Sequence, residues 1–197
     1  MKTIKLILFA YLMMFSINFG QNQDLDTEKK FKQSINFCPV ALAFGFYSVN
    51  YEYMVSDHDG LVFRVDYESV PNTYSDAEIN VDGKAAILNY RYHIDGKLES
   101  CYLGAFGRYR IYQGTGTLNS QTFDFDISEF TIGLNAGKKW VWDSGFNINF
   151  TLGYGYTFDD KTVSISTPAI ENSIKVFEND YDFNSGFFGE LSIGYAF

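Results

Sequence analysis

Phe146-Asn147-Ile148-Asn149-Phe150-Thr151-Leu152-Gly153-Tyr154-Gly155-Tyr156-Thr157-Phe158 is apolar at every second position, with Asn, Thr and Gly in between. A period of two is the mark of a strand with one apolar face, because successive side chains leave opposite sides of an extended backbone. The segment before it repeats the pattern. Phe130, Ile132, Leu134, Ala136, Trp140 and Trp142 share one face, and Thr131, Gly133, Asn135, Gly137 and Lys139 the other. The closing segment does so again, with Phe187, Leu191, Ile193, Tyr195 and Phe197 opposite Glu190, Ser192, Gly194 and Ala196.

Working back towards the start, strands are expected at 99–113, 83–94, 60–69, 43–54 and, more weakly, 33–38, which brings the total to about eight. Ser56-Asp57-His58-Asp59, Asp95-Gly96-Lys97 and Asp143-Ser144 are tight connections, whereas 70–82, 114–126 and 159–184 are long. Tight turns on one rim and long loops on the other suit an up-and-down antiparallel barrel, although the connection at Pro39 to Leu42 is short for its rim. Val163-Ser164-Ile165 and Ile174-Lys175-Val176 read as a hairpin extending the flanking strands, which leaves ten strands open. No apolar periodicity of helix length is expected after the leader, so bundles and α/β folds are disfavoured.

Lys2 and Lys5 followed by the apolar run Ile7 to Phe15 and the small or polar Ser16, Asn18 and Gly20 have the form of an export signal. The expected organisation is therefore a signal peptide at 1–20, a polar lead at 21–32 and one barrel domain at 33–197. The run is too short to cross a bilayer as a helix. Without Lys2 and Lys5 the bases fall from 15 to 13 against 24 acids, a formal charge of −11. Scattered bases among more numerous acids argue against nucleic acid as a partner. An aromatic content of 19 %, with 20 Phe and 15 Tyr against 3 Pro, favours strands. Cys38 and Cys101 fall on non-adjacent strands and are expected as free thiols despite export to an oxidising compartment.

Two barrels fit a period of two: a soluble one with its apolar face inside, and a transmembrane one with that face towards lipid. Charge of both signs on the polar face decides for the second. Glu52, Arg64, Asp66, Glu68, Arg91, Arg108, Arg110, Lys139 and Glu190, with Asn50, Asn89, Asn135, Asn147 and Asn149, cannot form the dry centre of a soluble barrel. They are expected to line the lumen as ion pairs, with Glu52 or Glu190 against Arg91 or Arg108, and to fill it, since eight strands leave room only for side chains. Trp140 and Trp142 beside a tight turn, and Tyr154, Tyr156 and Phe158 near a long loop, suit the aromatic girdles at the two membrane interfaces. Lys138 falls on the lipid side, where its ammonium must snorkel to headgroups.

The ending Glu190, Tyr195, Phe197 resembles the C-terminal assembly signal of bacterial outer-membrane barrel proteins, with Ser192 where that family usually has Gly. In size the chain is similar to OmpA- and OmpX-type small barrels, and Tyr47-Ser48-Val49-Asn50-Tyr51-Glu52-Tyr53 is similar to an early strand of uncharacterised Bacteroidetes barrels. The resemblance implies a Gram-negative outer membrane, with its lipids and lipopolysaccharide as surroundings. It also implies periplasmic chaperones and the barrel-assembly machinery as partners during biogenesis. No extracellular partner is named by it.

A lipid-modifying acyltransferase or deacylase would need a general base near the outer leaflet, commonly His. His58 is expected in a turn on the opposite rim and His93 near that rim, facing inward. The acidic loops, with Asp124, Asp126 and Glu129 in one and Asp159, Asp160, Glu178, Asp180 and Asp182 in the other, match no defined calcium loop and are expected to be solvated. Cys/His metal motifs, phosphate loops and nucleophile elbows are missing from the sequence, so no cofactor is expected. A non-enzymatic structural or surface-interaction role is the reading these residues favour. A lipid-modifying enzyme and a secreted lipocalin-like carrier stand as alternatives.

Overall fold

The computed structural model describes residues 31–42, 45–70, 78–181 and 185–197. The expected leader, most of the polar lead, Asp182 and much of the 70–82 connection lie outside the described residues. Eight strands, β1 (Gln33–Phe37), β2 (Phe46–Met54), β3 (Asp59–Val70), β4 (Asn80–His93), β5 (Cys101–Leu118), β6 (Gln121–Val141), β7 (Phe146–Val163) and β8 (Phe187–Ala196), close into one antiparallel up-and-down ring. The ring closes where β1 pairs with β8, with Ile35 opposite Tyr195. Phe197 seals this seam, its carbonyl accepting the Gln33 amide at 3.0 Å and its amide donating to the Gln33 carbonyl at 2.9 Å. Eight strands therefore replace the alternative of ten.

Two expected loops are structured instead. The stretch 114–126 is a continuation of β5 and β6, paired from Gln113↔Asp126 to Leu118↔Gln121 and turned at Asn119-Ser120. Both turn residues have positive φ, 51° and 64°, as the tight I′ hairpin turn requires. The stretch 159–184 is also no strand hairpin. There β7 runs on to Val163, and a 14-residue helix follows, α2 (Pro168–Tyr181), the short α1 being Pro39–Leu42. Thr167 Oγ1 accepts the Ile170 amide at 3.3 Å and caps the start of α2. Ile170, Ile174 and Phe177, spaced four and three apart, give the helix one buried face.

The polarity of the wall inverts along its height. From Phe130 to Trp140 the outward positions of β6 are Phe130, Ile132, Leu134, Ala136, Lys138 and Trp140, while the inward ones include Thr131, Asn135 and Lys139. Above Phe130 the outward positions become Ser128, Asp126, Asp124 and Thr122, and the inward ones Ile127, Phe125 and Phe123. Paired neighbours turn over within one alternation: Phe130 faces Tyr109 and Phe158, Ser128 faces Asp160 on β7 but still the exposed Ile111 on β5, and Asp126 faces Gln113. On β3 and β4 the edge lies at Tyr67↔Lys84. Ten residue steps of a strand tilted by about 40° rise roughly 25 Å, the height of the apolar band of a membrane barrel.

Both ends of the interior are stopped by apolar side chains. At the turn end Leu98, from the β4–β5 connection, packs with Met54, Ala196, Phe31 and Val141. At the loop end α2 lays Ile170, Ile174 and Phe177 on Ile79, Val81, Tyr112, Phe123, Phe125 and Ile127. Gly145, at φ 89° in the β6–β7 turn, is a position where a side chain would meet the Ala196 carbonyl at 2.6 Å.

Because Ser120 occupies a left-handed position, Ser120→Gly should stabilise the folded barrel by roughly 1 kcal/mol, and Ser120→Val should weaken it by at least as much. Urea midpoints of the detergent-folded protein measure this. Equal midpoints for the two variants would speak against the turn.

Candidate functional site: the charged lumen

Alternation alone places all nine expected charges on the inner face, because each shares its parity with neighbours that point into the ring. Arg91 is the hub. Its fully buried guanidinium donates through Nη1 to Glu52 Oε2 at 2.9 Å and through Nη2 to Glu190 Oε2 at 3.1 Å. It also lies over the Tyr102 ring at 4.5 Å. Glu52 takes further bonds from Lys139 Nζ and, at 3.0 Å, from His93 Nε2. A carboxylate can only accept, so His93 carries its proton on Nε2.

Glu190 is held on its other oxygen by Asn50 at 2.9 Å, Asn149 at 2.7 Å and Ser192 at 2.6 Å. Ser192 thus has a structural use: its hydroxyl solvates a buried carboxylate. Lys139 donates to Ser34 at 2.7 Å, Tyr102 donates to Asn149 at 2.8 Å, and Arg64 reaches Glu190 at 3.9 Å. Ser34, Glu52, Arg64, Arg91, Tyr102, Lys139, Asn149 and Glu190 come one from each strand, so this one network ties the whole ring.

A second cluster lies towards the loop end. Arg64 pairs with Asp66 at 2.7 Å and Arg110 with Glu129 at 2.7 Å, while Glu68 accepts from Tyr112 at 3.2 Å. Arg108 departs from expectation: it reaches neither Glu52 nor Glu190. Its guanidinium donates to the carbonyls of Phe187 at 2.9 Å and Ser185 at 3.0 Å and to Thr131 Oγ1 at 3.3 Å. Glu129, grouped by sequence with a solvated acidic loop, is buried inside. Its parity with Thr131 was the available signal, hidden by the nearby Asp124 and Asp126, which do face outward. Between the two clusters Ile87, Phe106 and Phe188 form an apolar rung.

The other expected site residues lie on the outer face. Trp140 and Trp142 flank the β6–β7 turn, and Tyr154 and Tyr156 are 72 % and 69 % exposed. Tyr195 and Phe197 are exposed on the closing strand. Lys138 is half-buried on the outer face in the row of Cys101 and Phe150, one alternation from Trp140 at the turn-side rim. Cys38 and Cys101 are free, one buried and one exposed. His58 sits in the 55–58 turn with Nδ1 2.7 Å from the His93 carbonyl and its ring stacked on Tyr92. Glu178 pairs with Lys161 at 3.0 Å, and among the described residues no three His, Cys, Asp or Glu side chains converge on a metal position.

A family profile matches residues 7–177 of this sequence. The chain belongs to that family, described as Protein of unknown function (DUF3575). No curated protein matches the chain in sequence. Among solved structures it is similar to CarO of Acinetobacter baumannii, at 10 % identity and a TM-score of 0.43 over 86 % of this chain and 98 % of that one. It is also similar to CarO2 of the same organism, at 9 % identity and a TM-score of 0.40 over 87 % and 100 %. The charged lumen of this DUF3575 chain therefore has to be understood from its own residues.

Glu52→Ala would leave Arg91 and Lys139 buried with one carboxylate fewer, a loss of about 3–5 kcal/mol. Glu178→Ala breaks a partly exposed pair worth about 1 kcal/mol or less. Heat-modifiability on gels should show the first unfolding at a clearly lower temperature than the second. Coincident transitions would contradict the network's role.

Proposed function

We propose that this chain is a non-enzymatic outer-membrane β-barrel of a Gram-negative cell, exported through a cleaved signal peptide and serving a structural or surface-interaction role. One observation carries the reading: the wall's outer face is apolar for about 25 Å and turns polar within one alternation on neighbouring strands. Residues such as Leu134, 71 % exposed, would be costly against water and are at home in hydrocarbon.

Orientation follows from the connections. The tight turns lie on the periplasmic side, and the tall β5–β6 hairpin and α2 stand outside the cell. Ion pairs occupy the lumen and apolar side chains close both ends, which supports a sealed barrel over a pore. His93 is fully buried against Glu52 and His58 stands at the periplasmic rim, which favours a non-enzymatic role over lipid A chemistry. A lipocalin-like carrier is disfavoured because its apolar face would line the inside.

The test is where the mature protein folds and partitions. It should stay with membranes through alkaline carbonate, fold only with detergent or vesicles, and give no steady channel conductance in planar bilayers. Release by carbonate with folding in plain buffer would overturn the membrane reading. Persistent single-channel steps would overturn the sealed lumen.

A further inference from the structure

Glu68 stands one residue above Tyr67, where the apolar belt of β3 ends, and points inward beneath α2. It is 5 % exposed, takes one hydrogen bond, from the Tyr112 hydroxyl, and its Oε1 has no partner. The cation nearest to hand is spoken for: Arg110 lies 2.7 Å from Glu129. Of the other groups around it, β3 contributes Asp66 and Arg64, which pair with each other, and β5 contributes Arg108, which donates to carbonyls. Opposite Glu68 on β2 and β4 are Phe46 and Gly83. Among the described side chains of α2 the ionisable ones are Glu171 and Lys175, both exposed, and Glu178, which is bound to Lys161.

We propose that Glu68 is a proton-controlled latch: neutral, it lets α2 lie closed on Tyr112, and ionised, it draws water into the site and releases the helix. Tyr112 is the mechanical link. Its hydroxyl holds Glu68, its ring belongs to the apolar seat of Ile170, Ile174 and Phe177, and it lies so close over Gly83 that a side chain there would stand 2.6 Å from the ring. A carboxylate with one phenol and a bare oxygen is under-solvated, so its ionisation favours whichever state admits water. Parting α2 from Tyr112 is that state, and it costs only three buried apolar side chains and one partly exposed ion pair.

Burial pushes the Glu68 carboxyl up to about 7, against the pull of Arg110 and the Tyr112 bond. A group whose affinity for the proton is higher in the closed state stabilises that state fully below the ordinary carboxyl value, and that stabilisation is lost progressively as pH rises from there to about 7. The latch is therefore shut in acid, loosens as pH climbs towards neutrality, and has lost its hold above about pH 7.

Hydrogen exchange of the full detergent-folded protein, corrected for intrinsic rates, tests this on peptides covering 164–181 between pH 5.5 and 8.5. Protection of α2 should be greatest at the acid end, fall by up to about tenfold per pH unit as pH rises towards 7, and level off above it. Peptides from the lower part of β6 should not change, and Glu68→Gln should give a level profile for α2. A level wild-type profile would overturn the latch, and this needs no variant. So would a Glu68→Gln profile that tracks the wild type, or a loss of protection shared equally by β6.

Discussion

Arg91 between Glu52 and Glu190 is the contact on which the architecture turns. A wall whose outer face is apolar has to put its ionised groups inside, and an unpaired ion in that interior would cost several kcal/mol. The lumen meets this by neutrality. Among the described residues five cations, Arg64, Arg91, Arg108, Arg110 and Lys139, stand opposite Glu52, Asp66, Glu129 and Glu190, and Glu68 completes the balance when it is ionised. Asparagines and hydroxyls take up lone pairs that the cations leave over. Such a network discriminates registers as well as contributing stability: sliding a strand by one residue would send its charge into lipid and a greasy side chain into the lumen.

The same constraint explains why the ring closes so precisely at its seam. Ser34 of β1 reaches Lys139 across the barrel, and Glu190 of β8 is held from β2 and β4 besides its neighbour β7. The first and last strands are thus fixed by partners that are not their neighbours. β1 has only five residues and few ladder bonds of its own, so these cross-lumen contacts carry much of its placement.

Most of the barrel was legible in the sequence because a period of two survives wherever one face of the wall is apolar and the other polar. Strand number, the turn rim, the nine inward charges and the outward aromatics all follow from parity. The upper wall was not legible, for a physical reason. Above Phe130 the alternation persists but its meaning reverses, with Asp124 and Asp126 outside and Phe123 and Phe125 inside. A reader who takes polar residues as lumen or loop loses the strand where its outward face turns polar. The helix escaped notice because three apolar residues, Ile170, Ile174 and Phe177, are all it buries, in a stretch whose β-branched residues suggest strands. Arg108 shows a limit of another kind: parity sets the face of a side chain, while the choice between carboxylate and carbonyl depends on distances that only the closed ring defines.

The inversion of the wall has a consequence for where function resides. A barrel that simply crossed a membrane would need no apolar inner face above it, since its loops could be solvated. Here Ile79, Val81, Tyr112, Phe123, Phe125 and Ile127 build a small second core that α2 completes with Ile170, Ile174 and Phe177. Two cores of opposite sense are thus stacked on the same strands, one stabilised by lipid outside and charge inside, the other by water outside and aromatics inside. They meet at Glu68, Arg110 and Glu129, where neither solvent rule is fully satisfied. A group caught between two such environments is the one whose protonation can be exchanged for motion.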